Sequence, residues 1–518
     1  MSGETASRTA APAVDAFDRV ALGIVGLAIV TFLLGWTTLF ERTSPDTAVA
    51  GISLFALFGA AFLFAGVGLI ASGIASNVGL FETTADRYTG LGTGVGFGVV
   101  GFATGGLVAT ILFGVGATGN VLAGLAVALV ATVAVAVLPE DLGTTLPVGL
   151  LAVVWGALLA AGLVDVGWVW DPPSLDAAFH ADVVVPLVTI ALSLLVVWSG
   201  AIVSEGFGSQ GRQNGAYMLI GLNAFGMIAV LLLLILFVVR KGLPKLLEGA
   251  QLGPGLNVSV PFITNGVMMG QQYNGVYPAI VGTVWLVIGA VVLAVPMGIG
   301  AAVFLTEYAE QGRFTAVIET ATNALWSTPS IVYGLFGYAF LVPRFGNTDS
   351  LLAGMFVLGF MLLPLVVITS RESIKSVPDE YRDASAALGV NQWQTIRSVV
   401  LPAAMPGVVT GVILGVGRIA GETAPILLVT AGSPTPSRAR SVLGSFQFMA
   451  TPPFVKNETL LQASSALPYQ LYAVISTGAV DLGESFGWGT ALVLLLVVLG
   501  FYAIGIASRI YFRRKLHQ

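Results

Sequence analysis

Residues 376–425 read SVPDEYRDASAALGVNQWQTIRSVVLPAAMPGVVTGVILGVGRIAGETAP. The first half is polar and amphipathic, and long apolar runs enclose it on both sides. The second half is apolar, yet it carries Arg418 and Glu422 where a membrane span should be. Pro378, Asp379 and Glu380 suit a helix start, with proline tolerated in the first turn and acids near the positive end of the dipole. Tyr381, Ala384 and Leu388 recur at helical spacing. Gly389 can end that helix in a left-handed conformation, and Asn391 can cap a second short helix with Trp393, Ile396 and Val400 on one face. Pro402 then opens the next span. The expected product is a small knob of two helices beside the membrane. An interfacial helix lying on lipid fits the same pattern.

Arg418 and Glu422 are four residues apart, so on a helix they share a face. Arg418 lies about 24 Å along the helix from Pro402, deep in the bilayer. A charge at that depth must be paired or face water. In one reading the two charges only neutralise each other inside the bundle. In the other, the guanidinium offers forked donors to an oxyanion, while Glu422 accepts a proton of a monohydrogen oxyanion or holds Arg418 in position. Thr423 adds a hydroxyl donor. Pro425 loosens the helix and frees backbone groups towards a pathway.

The rest of the 518 residues supports a membrane setting. Hydrophobic residues make up 56% and charged residues 9% of the chain, with a mean hydropathy of +0.92; soluble domains carry roughly 25% charged residues. Apolar runs long enough for a core about 30 Å thick recur throughout. The fold class is therefore all-α, a polytopic bundle of about twelve transmembrane helices. A β-barrel would alternate in polarity instead. Spans are expected near 19–40, 49–75, 92–114, 119–138, 147–169 and 182–203, then near 217–240, 278–306, 320–343, 351–370, 403–429 and 487–509. The polar, Gly-rich stretch 204–216 is expected to be a linker between an N-terminal region, 1–203, and a second domain, 217–518. A glycine ladder, Gly90, Gly94, Gly98, Gly101 and Gly105, suits close helix packing. The patch LPYQLYAV in loop 430–486 is too short to span and reads as re-entrant or interfacial. The head, residues 1–20, is polar, and no cleavable signal peptide is evident in it.

There is no cysteine, which excludes thiol chemistry and Cys-ligated metals. The two histidines, His180 and His517, are far apart, so no metal or other cofactor is expected. No GxxxxGK[ST] phosphate loop occurs, so no nucleotide site of its own is expected. Arg371, Lys375, Arg382 and Arg397 sit on one loop, and Arg509, Arg513, Arg514 and Lys515 follow the last span. The positive-inside rule makes both cytoplasmic and, by counting spans, both termini as well. Arg240, Lys241 and Lys245 are the exception.

The knob carries a family resemblance. DASAALG, with LP twelve residues after its glycine, resembles the EAA loop of ABC-importer permeases. Asp383, Ala384 and Ser385 take the EAA positions, Gly389 the glycine, Val399 the isoleucine, and Leu401–Pro402 the LP; Asp for Glu and Ser for Ala are departures. RIAGETAP (418–425), STPSIVYGLFG (327–337), the run 276–309 and the approach 363–389 resemble the phosphate ABC-transporter permease of the PstA type. That resemblance covers about residues 217–515. It implies a PstC-like second permease, two cytoplasmic ATPase subunits with the knob docking into a groove on one of them, an external phosphate-binding protein, and a pathway lined by Arg418, Glu422 and Thr423. Where many relatives have a further arginine, this chain has Ile368, with Arg371 one turn on. The six N-terminal spans have no counterpart in that pattern. An importer of molybdate, sulfate or phosphonate stays open as an alternative. A secondary transporter or channel would show an internal repeat, and none of the quoted motifs recurs in residues 1–205.

Overall fold

The computed structural model describes residues 11–40, 43–44, 47–49, 51–113, 116–171, 178–252, 258–268, 272–310, 312–452, 454–476 and 483–515. The polar head 1–10, the GPG of 253–255 and His517 lie outside the described residues. The chain divides into two units, Met1–Leu234 and Ile235–Gln518. Among the described residues ten helices are long and apolar enough to cross a membrane, and a bent pair makes a possible eleventh.

In the first unit the helices are α1 (Ala11–Leu39), α2 (Leu54–Asn77), α3 (Leu91–Phe113), α4 (Ala117–Val137), α5 (Glu140–Ala160), α6 (Ala181–Ser204) and α7 (Gly208–Leu246), which runs past the division. Two-residue antiparallel pairs, β1 (Ala48–Val49) with β2 (Ile52–Ser53) and β3 (Val169–Trp170) with β4 (Phe179–His180), decorate the connections. α1 packs on α6, α2 on α5, and α3 on α4. The expected ladder does face a neighbour. A Cβ on Gly94 would lie 2.6 Å from the Thr132 carbonyl oxygen of α4, and one on Gly105 2.8 Å from Val127, while Gly90 serves a turn with φ +89°. A tighter seam joins α2 to α5. Gly59 and Gly66, one heptad apart, abut Gly156 and Gly149; their added Cβ atoms would sit 2.8 and 2.6 Å from the opposing carbonyl oxygens.

Two expectations shift here. The fifth span is Glu140–Ala160, not 147–169. Glu140 and Asp141 open the helix, where acids suit the dipole, and Pro147 sits inside it; residues 169–170 already belong to a strand. The stretch 204–216 is also not an open linker. α6 reaches Ser204, a turn at Gly206–Gly208 with positive φ reverses the chain, and α7 starts at Gly208. Glu140 fixes that turn. Fully buried, its carboxylate accepts from the Asp86 N–H at 2.8 Å, the Gly208 N–H at 3.2 Å and the Arg212 guanidinium at 2.7 Å. A buried carboxylate needs such hydrogen-bond partners to offset the water it gives up.

The second unit adds α8 (Pro261–Thr264), α9 (Tyr277–Val303), α10 (Arg313–Ser327), α11 (Ser330–Phe336), α12 (Leu351–Lys375), α13 (Asp379–Ala387), α14 (Gln392–Thr395), α15 (Leu401–Ala420), α16 (Ala424–Val429), α17 (Leu467–Ser476) and α18 (Gly483–Lys515). Two hairpins complete it: β5 (Gln251–Leu252) with β6 (Val258–Ser259), and β7 (Phe446–Phe448) with β8 (Val455–Asn457). α12 is the central element, packed on α9 and α15, and α15 packs on α18. Its buried residues, among them Met355, Leu358, Leu362 and Val366, hold the unit's main core with Leu286 and Ala290 of α9 and Ile419 of α15. Residues Phe304–Tyr308, Gly337–Leu341 and Ile396–Val400 wind as π-turns, a geometry found mostly as single turns at functional sites. The apolar patch LPYQLYAV begins the ten-residue α17, with Leu467, Pro468 and Gln470 buried.

Two further spans differ from expectation because each contains a break. Residues 320–343 are not one helix: α10 and the helical stretch from Ser330 meet at 100°. Pro329 forces the change, since the residue before a proline is driven out of the helical region; Thr328 is extended at φ −65°, ψ 132°. Residues 403–429 are likewise α15 and α16, separated at Gly421–Thr423.

Gly66→Leu is expected to cost about 1–3 kcal/mol through overpacking of the α2–α5 seam, read as a lower midpoint when the full chain is titrated with denaturant in detergent. Gly26→Ala, whose Cβ meets nothing within 4 Å, should match wild type.

Candidate functional site

The two breaks meet. α11 packs on α16, and a Cβ on Gly334 would lie 2.8 Å from the Cα of Pro425. A backbone that leaves its helix among apolar neighbours needs replacement partners, which hydroxyl side chains can supply. At the first break the hydroxyls of Ser327 and Thr328 both donate to the Ala324 carbonyl at 2.9 Å, and the Tyr333 hydroxyl donates to the Leu325 carbonyl at 2.9 Å. At the second, the Gly421 N–H donates to the Arg418 carbonyl and the Glu422 N–H to the Ile419 carbonyl.

Arg418 stands in the last turn of α15, beside both breaks. Its Nε lies 3.7 Å from a Glu422 carboxylate oxygen, an ion-pair distance but too long for a hydrogen bond. Glu422 lies beyond the helix end, so the pair closes across the break rather than along a helix face. The guanidinium carbon sits 4.3 Å from the ring centroid of Trp326, the penultimate residue of α10. The cation is thus held by its flat face and by charge. Its side chain makes no hydrogen bond among the described residues and stays 36% exposed, so its donor edges are free for a planar or tetrahedral oxyanion. The Thr423 hydroxyl likewise makes no hydrogen bond among the described residues. Trp326 escaped the sequence reading. An aromatic in an apolar run gives no signal by itself; the nearest clue was its position just before Ser327-Thr328-Pro329.

The same face of α10 carries more polar groups. Glu319, Thr322, Asn323 and Trp326 follow helical spacing. Glu319 pairs with Arg371 of α12. Glu319, Thr322, Asn323 and Arg371, with Ile368 and Lys375, line a cavity of about 170 Å³ that Trp326 does not border. Ile368 and Arg371 therefore border one space, but Arg371 is already held by Glu319, and its buried Nε has no partner.

The expected knob forms. Pro378 caps α13, and Gly389, at φ +71°, turns the chain after it. The Asn391 side chain caps α14 by accepting from the Gln394 N–H at 2.9 Å. Gln392–Ala420 winds as one continuous helix, so Pro402 does not open the span but lies inside it, directly after the π-turn Ile396–Val400. Of the EAA-like residues, Asp383 and Ala384 are exposed and Ser385 is buried. Trp393 is 57% exposed while Ile396 and Val400 are buried, so the three do not form one buried face. Tyr381 and Leu388 are exposed too, so the knob shows an apolar aromatic surface. Arg382 anchors it to the end of α9: its guanidinium donates to the Glu307 carboxylate at 2.7 Å and to the Val377 carbonyl at 2.8 Å. The Glu307 hydrogen bond raises the Arg382 pKa above its ordinary value.

Broken helices around a half-exposed intramembrane arginine, with a surface knob built into the same helix, define a helical membrane transport protein. Comparison with known proteins gives the family. Residues 294–514 match the binding-protein-dependent transport system inner membrane component. The phosphate transport system permease protein PstA 1 of Mycobacterium tuberculosis is 36% identical over 233 residues, 45% of this chain and 70% of the relative. PstA of Mycobacterium leprae is 34% identical over 251 residues, 48% of this chain and 75% of the relative. PstA of Haemophilus influenzae is 30% identical over 307 residues, 59% of this chain and 96% of the relative. The chain belongs to this family of inner-membrane permease components.

Trp326→Leu removes the ring face under Arg418, a contact of about 0.5–2 kcal/mol. Transport by the assembled complex should fall about two- to thirtyfold on that basis, and Trp326→Phe should retain more activity than Trp326→Leu.

Proposed function

We propose that this chain is a permease subunit of an ATP-driven importer of inorganic phosphate. The observation that carries the reading is the Arg418 guanidinium, held by Trp326 and Glu422 with its hydrogen-bonding edges free at the meeting of two helix breaks. The printed function of the PstA relatives supports phosphate as the anion. Arg418 receives the anion, Glu422 holds the arginine or accepts a phosphate proton, and Thr423 adds a donor. The polar face of α10 then continues the path towards Arg371. A PstC-like second permease lines the other side of the path, and an external phosphate-binding protein delivers the anion.

Energy enters at the knob. One of two cytoplasmic ATPase subunits docks there on Tyr381, Asp383, Ala384, Leu388 and Trp393, with Ser385 packed beneath and Gly389 setting the turn. Arg382–Glu307 ties that surface to α9, while Leu401–Pro402 feeds it into α15, which ends at Arg418. The knob and both termini face the cytoplasm in this scheme. Residues 1–203 form a membrane region, 204–216 the connection, and 217–518 the permease domain.

Arg418→Ala should remove phosphate uptake while the protein stays in the membrane. Losing one member of a charge-paired contact costs about 2–5 kcal/mol, so uptake should drop by about thirtyfold or more on that scale. Unchanged uptake would reduce the pair to a structural role, and uptake of sulfate or molybdate in place of phosphate would reassign the substrate. Gly389→Val forces a β-branched residue into a left-handed conformation, which costs about 1–3 kcal/mol. Co-purification of the ATPase, or its stimulation, should fall; Gly389→Asn, which tolerates that conformation, should retain more of both. Normal stimulation in the valine variant would count against coupling through the knob.

A further inference from the structure

A second polar space lies at the other end of α9 from the knob. α9 begins at Tyr277 and runs about 40 Å before the π-turn that carries Glu307. At its start, Pro278 borders a cavity of about 460 Å³ whose other walls are residues 433–440 and 463–465. Arg438 and Arg440 line it with the hydroxyl-bearing Ser433, Thr435, Ser464 and Ser465. Neither arginine forms an ion pair or hydrogen bond among the described residues. Ser465 is 5% exposed, and its buried Oγ has no hydrogen-bond partner.

The walls are fixed. The Ser464 N–H donates to the Thr430 carbonyl and the Gly432 N–H to the Ser464 carbonyl, at 3.0 and 3.2 Å. The Leu467 N–H donates to the Thr283 hydroxyl of α9 at 2.9 Å. Across the space, the Pro436 carbonyl accepts from the Val267 N–H at 3.1 Å. Gly282 leaves room for this wall: any side chain there would collide with the Ser465 carbonyl. Two arginines without counter-ions among the described residues, lining a space walled by hydroxyl-bearing residues on anchored backbone, form a site suited to an anion.

We infer that this cavity is a receiving vestibule for hydrated tetrahedral oxyanions, phosphate first among them, placed before the Arg418 site. The assignment of phosphate rests on the function proposed above. Size decides the mode of binding. At ~30 Å³ per water, the space holds on the order of fifteen waters, so the anion keeps much of its hydration. Binding is therefore weak and salt-sensitive, and its effect is to raise the local anion concentration. The short α16 and Thr430 connect Arg418 to Ser433 in sequence, so the vestibule and the intramembrane arginine belong to one continuous segment. An anion let go above would meet Arg438 and Arg440 before it meets Arg418.

The test uses the assembled transporter in nanodiscs, without the binding protein, in an Arg418→Ala background so that the deeper site does not contribute. Flow dialysis with radiolabelled phosphate, and separately with sulfate, reads the anion bound at low and high salt. Low-salt binding should fall about tenfold in Arg438→Gln/Arg440→Gln and persist in Arg438→Lys/Arg440→Lys. High salt should abolish the difference. Equal binding in the glutamine variant, or none in the Arg418→Ala parent, overturns the vestibule. So does a glutamine variant that binds phosphate as its parent does but, in a separate ATPase assay with the binding protein added, loses stimulation, since the arginines would then serve protein docking. Uptake by the otherwise wild-type transporter judges the phosphate reading separately: if sulfate is taken up and phosphate is not, the sulfate arm still decides the vestibule.

Discussion

A chain that leaves its helix inside an apolar layer must find new partners for every N–H and C=O it frees. The second unit meets this constraint twice, at Thr328–Pro329 and at Gly421–Thr423, and the rest of its polar chemistry follows from how it does so. Ser327, Thr328 and Tyr333 supply hydroxyls to the carbonyls of α10. With the backbone satisfied, the breaks can pack together through Gly334 and Pro425. That packing brings Trp326 from one span against Arg418 from the other. An unbroken α10 or α15 would point these side chains along helix faces and separate them. The arginine's exposed edges are a consequence of backbone accounting.

The two units solve cohesion differently. Lipid is as apolar as leucine, so close backbone approach and polar contacts must do much of the packing work. The first unit uses the glycine seam of α2 and α5, and Glu140 clamps a turn, a loop and a helix start together. The second is centred on α12, two-thirds of whose spanning window is buried. Its bulky aliphatic core surrounds the site with closely packed helices.

The pattern of charges was legible in the sequence because an isolated Arg or a polar island is conspicuous inside apolar runs. Gly389 and Asn391 each announced a backbone feature, and each performs it, whereas Pro402 lies inside a helix that already begins at Gln392. The breaks were not legible as breaks. Pro425 read as a local loosening, but the helix ends four residues earlier, at Gly421, and Pro329 sat inside an apolar run long enough to span. Trp326 carried no periodic or charge signal, and its role depends on a fold of the chain that hydropathy does not encode. The start of α5 was hidden because Glu140 and Asp141 resemble loop residues until their buried partners are known. Loop 430–486 has no period at all, so the walls around Arg438 and Arg440 appear only in three dimensions.

The π-turn at Ile396–Val400 lies within the knob, inside the continuous helix Gln392–Ala420 and ahead of Arg418. It stores one surplus residue within that helix. Releasing that residue to ordinary α-winding advances everything beyond it by about 1.5 Å and rotates it by about 100°, with no peptide group left unpaired at the end. Such a slip moves in whole residues, as a ratchet does. For α15 it would carry Arg418 from one rotational setting to another about a quarter-turn away, giving the helix discrete stops where a simple hinge would offer a continuum.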